Sequence, residues 1–486
     1  MQPQVTTAAF PVRPGRFAGW KSAAVVVVLA AVVGAAILLQ IRGWSALEGE
    51  SGSACGSGSA ACPRGTVPVL VISFVAGLAA IPFAVAAVLR RPKVNAGLAA
   101  VGLAAGVFAA QSLSGWLNGT QLRVDWTAPY DTSATLTTEG VWTAGGSLVR
   151  VRADEIVSYD GETGRAQWTL AVPAGDVACA VSAETAAGTG LIGFGAAGGA
   201  CDHVLAVDLG SGRQLWSRPV AAGWKGDQGT GFVAVGGDTA AVVTADGVLG
   251  YDLRTGAPRW TLLTPGGCSD QTVAAAPQSA VVLAACGQGF DVTDVDLASG
   301  RQLWSTPVSE PAPDYQFAIL SAAPVVVSDT LPGTPSADHV RAFGAGGKLV
   351  STIAAGDLDT STYQGFGPEV AVSGGLLAGV TTPSAGHPAV VAYRLSDGRP
   401  QWRVPMPDDV LSMSQDGGQL LVIAQSAPVP SLDAISLPGG TSHAVGLIPR
   451  GVVGASGAGV YPVGGRYLVV NLTGHPPVPP VTALGN

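Results

Sequence analysis

"VDLASGRQLWSTPV", residues 295–308, is a phrase that the chain repeats at a nearly constant interval. Residues 207–220 read "VDLGSGRQLWSRPV", and "GYDLRTGAPRWTLL" (250–263) is a third version between them. Each version runs as a strand up to an aspartate, turns through a glycine and continues as a second strand that carries a tryptophan. The phrase therefore predicts a β-hairpin that recurs along the chain.

The tryptophans of this phrase give its period. They are separated by 48, 44, 44 and 98 residues, and the last interval is two periods with one tryptophan missing. A period near 45 residues, in valine- and alanine-rich sequence with glycine turns, is typical of a β-propeller blade. We expect each large, flat indole to pack on the next blade. The tryptophans with this predicted docking role, including one on a lone strand before the first repeat, are Trp126, Trp168, Trp216, Trp260, Trp304 and Trp402.

Seven hairpins follow the frame, and the last three carry substitutions. In the fifth, Phe343 and Ser351 stand at the places of the acid and the tryptophan; in the sixth, Arg394 replaces the acid. Two further strands are predicted over 457–472, and the N-terminal strand would complete their blade and leave no open edge. The sequence thus predicts an all-β propeller of tryptophan-docked, four-stranded blades over 114–475, with eight blades favoured and seven as the alternative.

The hydrophobic excess of the chain lies at its front. Only 12% of the residues are charged, against roughly 25% in an average soluble domain. Three apolar runs, each near the ~20 residues that cross a bilayer, predict a three-helix transmembrane bundle at 22–41, 67–89 and 94–113. Gly102 and Gly106 in the third run predict close packing within this bundle, with self-association as the alternative.

Basic residues predict the orientation of the chain. They lie in a predicted cytoplasmic tail (1–21) and in the "RRPK" connection (90–93), which places both in the cytoplasm. The propeller would then lie outside a bacterial cytoplasmic membrane. Residues 476–486 are predicted to be a disordered tail.

Cysteine usage agrees with this topology. All six cysteines fall in segments predicted to lie outside, where disulfides persist, and none has the spacing of a metal site. The first strand of a blade starts at the face where the second strand ends. We therefore expect one disulfide between these two points in each of two blades. The predicted pairs, with a third that closes the loop between the first two helices, are Cys179–Cys201, Cys268–Cys286 and Cys55–Cys62.

The frame Ala/Val-x-Asp-x-x-Thr/Ser-Gly-x-x-x-Trp resembles the PQQ-binding-like propeller repeat of the quinoprotein family over residues 120–472. This resemblance implies the fold but no single activity. The fold serves quinoprotein dehydrogenases and also non-enzymatic proteins, such as the propeller subunit of the outer-membrane barrel assembly machinery. In the dehydrogenases, the resemblance would imply a quinone in the central funnel, a calcium ion held by Glu, Asn and Asp, a catalytic Asp, and in many cases adjacent bonded cysteines.

The sequence departs from that dehydrogenase pattern. It has no Cys-Cys pair, and Asn118, Asn471 and Asn486 do not fall in a predicted blade interior. We therefore predict no catalytic, cofactor-binding or metal-binding residues and expect no cofactor, with PQQ and calcium as the alternative. The acids of the repeat are assigned to structural turns: Asp160, Asp208, Asp252 and Asp296.

The predicted function is non-enzymatic binding. The net charge of −8 gives no support to nucleic-acid binding, which needs a basic footprint. We expect a membrane-anchored scaffold or sensor for an unknown envelope protein, peptide or polymer; the alternative is a PQQ-dependent, membrane-bound alcohol or sugar dehydrogenase. A lectin-like propeller would expose aromatic residues in loops. The candidates for that role are Trp142, Trp224, Tyr315, Tyr363 and Phe366.

Overall fold

The computed structural model divides the chain into two compact units, Met1–Gly119 and Thr120–Asn486. The predicted bridge between Cys55 and Cys62 lies outside the residues that the structure describes. The described residues are 17–47, 66–90, 92–118, 121–221, 231–287, 289–309, 315–331, 334, 338–360, 370–382, 387–406, 409–425, 429–454 and 457–485.

The first unit contains α1 (Phe17–Leu47), α2 (Thr66–Arg90) and α3 (Pro92–Asn118). Each helix has a segment long and apolar enough to cross a membrane. Each helix also begins before its predicted span and ends after it.

Glycines bring α1 and α3 into close contact. A Cβ added at Gly102 would meet the carbonyl oxygen of Val27, and one at Gly106 would overlap the carbonyl of Ala31. Both neighbours belong to α1, so these glycines allow two helix backbones to approach within the bundle.

The second unit is an eight-bladed β-propeller, which confirms the favoured blade number. Every blade is a four-stranded antiparallel sheet, and the first strands of most successive blades contact one another, which places them innermost. Blade 1 comprises β2 (Thr138–Ala144), β3 (Ser147–Arg152), β4 (Glu155–Asp160) and β5 (Ala166–Ala171), and blade 2 comprises β6 (Asp176–Val181), β7 (Thr189–Ala196), β8 (His203–Asp208) and β9 (Gln214–Pro219). Blade 3 comprises β10 (Val233–Gly236), β11 (Thr239–Thr244), β12 (Gly247–Asp252) and β13 (Pro258–Leu263), and blade 4 comprises β14 (Cys268–Ala275), β15 (Ser279–Cys286), β16 (Gly289–Asp296) and β17 (Gln302–Ser309).

Three further blades follow in the same order. A single 3-10 turn, Ala345–Gly347, lies between the third and fourth strands of blade 5. Blade 5 comprises β18 (Gln316–Ala322), β19 (Val325–Thr330), β20 (His339–Phe343) and β21 (Leu349–Ala354). Blade 6 comprises β22 (Val370–Ser373), β23 (Leu376–Thr381), β24 (Ala389–Arg394) and β25 (Pro400–Pro405), and blade 7 comprises β26 (Val410–Asp416), β27 (Gln419–Ala424), β28 (Ser431–Ser436) and β29 (Ser442–Leu447).

Blade 8 is composite and closes the ring. Its outer strand is the predicted N-terminal strand, so both ends of the propeller sequence meet in one sheet. From the inside, its strands are β30 (Ala458–Val463), β31 (Arg466–Asn471), β32 (Val481–Gly485) and β1 (Arg123–Thr127).

The prediction of a disordered tail over 476–486 is wrong for residues 481–485. These residues form β32 because they find partners on both sides: Val481 pairs with Val470 of β31, and Thr482 pairs with Thr127 of β1. The proline-rich connection before β32 conceals this strand in the sequence, since proline cannot donate a ladder hydrogen bond.

A buried ion pair links blade 1 to the closing blade. Both terminal nitrogens of Arg150 in β3 donate to the carboxylate of Asp131, at 2.8 and 2.7 Å, and neither side chain is exposed by more than 1%. Asp131 lies between β1 and β2, and its amide donates to the Gly474 carbonyl of blade 8 at 2.8 Å. The pair therefore holds the connection at which the ring closes.

The blades pack face to face through their second and third strands. Strands β3 and β11 are buried along their whole length, whereas the outer strand β17 alternates between exposed and half-buried residues. Because the strands alternate in direction, the turns between the first and second and between the third and fourth strands lie at one face. We call this the hairpin face.

Candidate functional site

The hairpin face carries a series of tryptophan sockets between neighbouring blades. The indole of Trp260 lies against Gly300, whose φ of +69° favours glycine and where a Cβ would collide with the ring. Its Nε1 donates to the Leu297 carbonyl at 2.8 Å. A socket is thus a positive-φ glycine with the carbonyl three residues before it. Four other tryptophans make the same two contacts: Trp126 with Gly164 and Gly161, Trp168 with Gly212 and Leu209, Trp216 with Gly256 and Leu253, and Trp402 with Gly440 and Leu437.

The acids of the repeat act within their own turns. Asp252 accepts hydrogen bonds from the hydroxyl and the amide of Thr255, both at 2.8 Å, and these bonds lower the pKa of Asp252 to about 2. Because each acid is bonded to the turn of its own blade, these carboxylates do not form one site. The other pairs are Asp160 with Thr163, Asp208 with Ser211 and Asp296 with Ser299.

The socket between blades 5 and 6 has no tryptophan. Ser351 of β21 takes its place, and its hydroxyl donates to the Leu395 carbonyl at 2.7 Å. The glycine of this socket, Gly398, lies close to the β21 backbone instead, since a Cβ there would be 2.9 Å from the Thr352 carbonyl oxygen. Serine thus keeps the hydrogen bond of the socket without an aromatic ring.

The hairpin of blade 5 is also one residue shorter than the regular ones. The amide of Asp296 donates to the carbonyl five residues on, whereas the amide of Gly344 donates to the carbonyl four residues on. Gly344 therefore stands at the place of the acid, and the assignment of Phe343 to that place is wrong. Phe343 stacks instead on Trp304 of blade 4, with 6.1 Å between ring centroids.

The hairpin of blade 6 exchanges the polar pair of the repeat. Arg394 stands where blades 1 to 4 have an acid, and Asp397 stands where those blades have Thr or Ser. The Arg394 guanidinium donates to the Asp397 carboxylate at 2.7 Å. The turn thus keeps a side-chain link but presents a guanidinium, 44% exposed, at the hairpin face.

A cleft of about 650 Å³ opens where these substitutions meet. It crosses blades 5, 6 and 7, and its volume falls in the range of ligand-binding pockets. Backbone turns and apolar side chains form most of its wall, and Arg394 is the one charged residue in the part of the lining that the structure describes. We call it the blade 5–7 cleft and define it by Phe343, Val350, Leu376, Arg394, Gly418 and Pro438.

The cleft adjoins the socket that lacks its tryptophan. Val350 directly precedes Ser351, and Leu395, whose carbonyl the serine hydroxyl binds, also lines the cleft. Val350 is 45% exposed although it is apolar. This arrangement can bind an apolar side chain, and a guanidinium beside it can stack on an aromatic face or pair with an anion. Sequence reasoning missed the cleft, although Ser351 and Arg394 were its two signals.

The structure pairs Cys179 with Cys201 and Cys268 with Cys286 as disulfides. Among the described residues, one group could in principle hold a metal, and it consists of Cys268, Cys286 and Asp291. Because the disulfide engages both sulfurs, this group does not offer a thiolate ligand set.

Asn471 bears on the quinoprotein alternative. It lies fully buried in β31, so the interpretation that it falls outside a blade interior is wrong. Its Nδ2 donates to the carbonyls of Val452 and Pro479, both at 2.8 Å, and its Oδ1 accepts from the Gly454 amide at 2.8 Å. Because the backbone engages this amide from three sides, Asn471 does not fit the asparagine ligand of a quinone–calcium site.

The aromatic candidates for a lectin-like site do not converge among the described residues. Trp142 is buried and donates its Nε1 to the Ser182 carbonyl at 2.8 Å, so it packs between blades 1 and 2. Tyr315 is half-buried. Three candidates lie outside the described residues: Trp224, Tyr363 and Phe366.

One family model matches the chain in two overlapping segments, residues 123–243 and 196–334. Its description is outer membrane protein assembly factor BamB. Repeat, blade architecture and family model agree, and the chain is a PQQ-like β-propeller repeat protein. No curated protein sequence matches it.

Several solved structures are similar to the chain. BamB from Moraxella catarrhalis is 14% identical over 75% of this chain and 99% of its own, with a TM-score of 0.45. A europium-containing methanol dehydrogenase is 12% identical over 72% and 84%, with a TM-score of 0.45. Sqt1 from Saccharomyces cerevisiae is 12% identical over 76% and 98%, with a TM-score of 0.47.

Proposed function

We propose that this protein is a membrane-anchored binding module of the bacterial cell envelope, whose propeller holds a protein, peptide or polymer without catalysing a reaction. The observation that carries the proposal is the blade 5–7 cleft. It offers apolar surface and backbone turns to a ligand, and among the described residues no carboxylate or imidazole lines it for acid–base chemistry. Its contacts are those of recognition.

The anchor and the propeller have separate tasks in this proposal. The three apolar helices hold the module at the cytoplasmic membrane, with the N-terminus inside and the propeller outside. Two arguments support this orientation: the basic residues of the short connection at 90–93, and the two disulfides of the propeller, which persist in an oxidising compartment.

The test is site-specific photo-crosslinking of the full chain in its native membrane. Benzoylphenylalanine replaces Gly418, which lines the cleft and where a Cβ would meet no atom within 4 Å. The matched control replaces Gly266, which is equally open and lies between blades 3 and 4. We expect an adduct of defined mass from position 418 and none from position 266. If neither this position nor others around the hairpin face yield an adduct, the binding function is wrong.

The dehydrogenase alternative has its own test. PQQ and calcium are titrated into the purified full chain, and binding is followed by absorbance and calorimetry. We expect no saturable binding, because the Asn471 amide is engaged by backbone. Saturable binding at micromolar affinity or tighter, with dye reduction on addition of alcohols or sugars, would contradict the proposal and make the protein an oxidoreductase.

A further inference from the structure

The propeller itself shows which side chain its hairpin face binds. At five junctions between blades, the outer strand supplies an indole and the next blade receives the ring on a glycine and a carbonyl, as for Trp216 and Trp260. At the junction of blades 4 and 5, the ring of Trp304 lies against Gly347, but its side chain hydrogen-bonds Asp294 of its own blade. The same types of turn form the blade 5–7 cleft, with the Leu395 and Leu437 positions of two successive sockets in its wall. At the first of these sockets the chain supplies only a serine hydroxyl.

The lining of the cleft favours an aromatic side chain over a charged one. Apolar residues such as Phe343, Val350 and Leu376 form its walls. The charged residue of its described lining, Arg394, pairs with Asp397, which offsets its charge while its guanidinium plane stays partly exposed. A planar cation of this kind stacks on aromatic faces.

The cleft is open to a partner from solvent. Val350, which lines the cleft, is 45% exposed, and its neighbour on β21, Leu349, is 43% exposed. An extended segment that places one ring in the cleft could therefore cover these two side chains with its neighbouring residues. A buried aromatic anchor with surrounding apolar contacts is the usual energetic centre of a protein interface.

From these observations we infer that the blade 5–7 cleft receives an aromatic side chain, foremost tryptophan, from a polypeptide segment of a partner protein. This inference rests on the proposed binding function and specifies its ligand class. The partner's ring packs on the apolar wall beside these two sockets, whose carbonyls already accept hydrogen bonds from Ser351 and Trp402.

The test uses N-acetyl-L-tryptophanamide carrying a diazirine as the probe, with the purified full-length protein and mass-spectrometric mapping of labelled peptides. We expect labelling of the segments around 343–350, 394–396 and 418. Unlabelled N-acetyl-L-tryptophanamide should compete, and N-acetyl-L-alaninamide should not. Labelling that does not distinguish the two amides would overturn the inference.

Two variants and one control locate the binding. Gly418→Trp fills the cleft from a position with room for a side chain, and Val350→Asp places a charge on its apolar wall. Each should lower labelling about tenfold, while Gly266→Trp should leave it unchanged. Unfolding curves establish that each variant is folded. The two cleft variants should weaken binding for different reasons, since Gly418→Trp fills the cleft and Val350→Asp adds a charge to its wall. Labelling that survives both substitutions would contradict the inference.

The two proposals fail in different ways. If the probe does not label the cleft, but benzoylphenylalanine at position 418 still captures a partner in membranes, the ligand class is wrong and the binding function stands. If the probe labels nothing and no position of the hairpin face captures a partner, both are wrong. Capture at position 418 that N-acetyl-L-tryptophanamide displaces supports both.

Discussion

Each docking tryptophan joins two blades with a ring contact and one hydrogen bond. Trp260 is 9% exposed, and its indole meets the glycine and a carbonyl of the next blade. Removal of a buried aromatic side chain leaves a cavity and costs about 3–5 kcal/mol. Loss of the hydrogen bond alone costs about 1 kcal/mol.

We therefore expect Trp260→Ala to lower the free energy of unfolding by about 3–5 kcal/mol and Trp260→Phe to lower it by about half as much. Denaturant unfolding followed by circular dichroism measures both, because this signal does not depend on the fluorescence of the replaced residue. Equal losses for the two variants would mean that the ring contact contributes nothing beyond the hydrogen bond.

Asp252 gives the hairpin turn a dependence on pH. Its pKa in the folded protein is lowered to about 2, below the usual value of about 3.9 in an unfolded chain. Its contribution to stability is therefore present above about pH 4 and is lost as the pH falls towards 2. Asp252→Asn should show a smaller loss of stability between these pH values than the parent protein, in parallel denaturant titrations. Identical pH dependence would show that solvent screens this carboxylate completely.

At the scale of elements, two blades carry a disulfide: Cys268–Cys286 joins the start of β14 to the end of β15, and Cys179–Cys201 joins β6 to the connection between β7 and β8. Cys268 and Cys286 are direct cross-strand partners and are separated by 18 residues. Closing a loop of this length stabilises the fold by about 3 kcal/mol in the chain-entropy model. Replacing Cys268 and Cys286 with serine should therefore lower the free energy of unfolding by about 3 kcal/mol.

The second disulfide provides the comparison for this prediction. Cys179 and Cys201 are separated by 22 residues, so their exchange should cost nearly the same. Unfolding of both double variants and of the parent, with and without reductant, measures the two contributions. If reductant destabilises the parent and both variants equally, the disulfides do not account for the loss.

The regular hairpins could be predicted from sequence because their information is local. The acid, the turn glycine and the tryptophan lie within a short stretch, as in Asp252 to Trp260. Strand β32 could not be predicted, since pairing with both β31 and β1 defines it and its own sequence follows a proline-rich segment. The cleft could not be predicted either. Ser351 and Arg394 were visible as departures from the frame, but the space between them depends on how three blades pack.

At the scale of the whole molecule, the ring closes at a covalent discontinuity, because strands from the two ends of the propeller sequence share blade 8. Two devices hold this closure. Strand β1 completes the sheet, and Arg150 of blade 1 binds Asp131 in the connection that leads away from β1. The second device is fully buried, so its partners cannot be replaced by water.

Arg150→Met should therefore be strongly destabilising, because it leaves the buried Asp131 carboxylate with the weaker support of Arg152 alone, at 3.0 Å. Removing one partner of a buried pair costs about 3–5 kcal/mol. The matched control is Arg259→Met, which breaks ion pairs with Asp238 and Asp252, both on blade 3 and both accessible to solvent, and should cost less than about 1 kcal/mol for each pair.

A double variant separates loss of the arginine from loss of ring closure. Arg150→Met combined with Asp131→Leu replaces the ion pair by apolar groups and should recover most of the lost stability. The remaining buried cation, Arg152, keeps its ion pairs with Asp154 and Glu155. Unfolding free energies and hydrogen exchange of β1 and β32 measure the recovery. If the double variant stays as unstable as Arg150→Met, and β1 and β32 exchange rapidly, then the ring needs the directional hydrogen bonds of the arginine. If Arg150→Met and Arg259→Met lower the free energy of unfolding by the same amount, burial at the junction between blades 8 and 1 has no special role in closing the propeller.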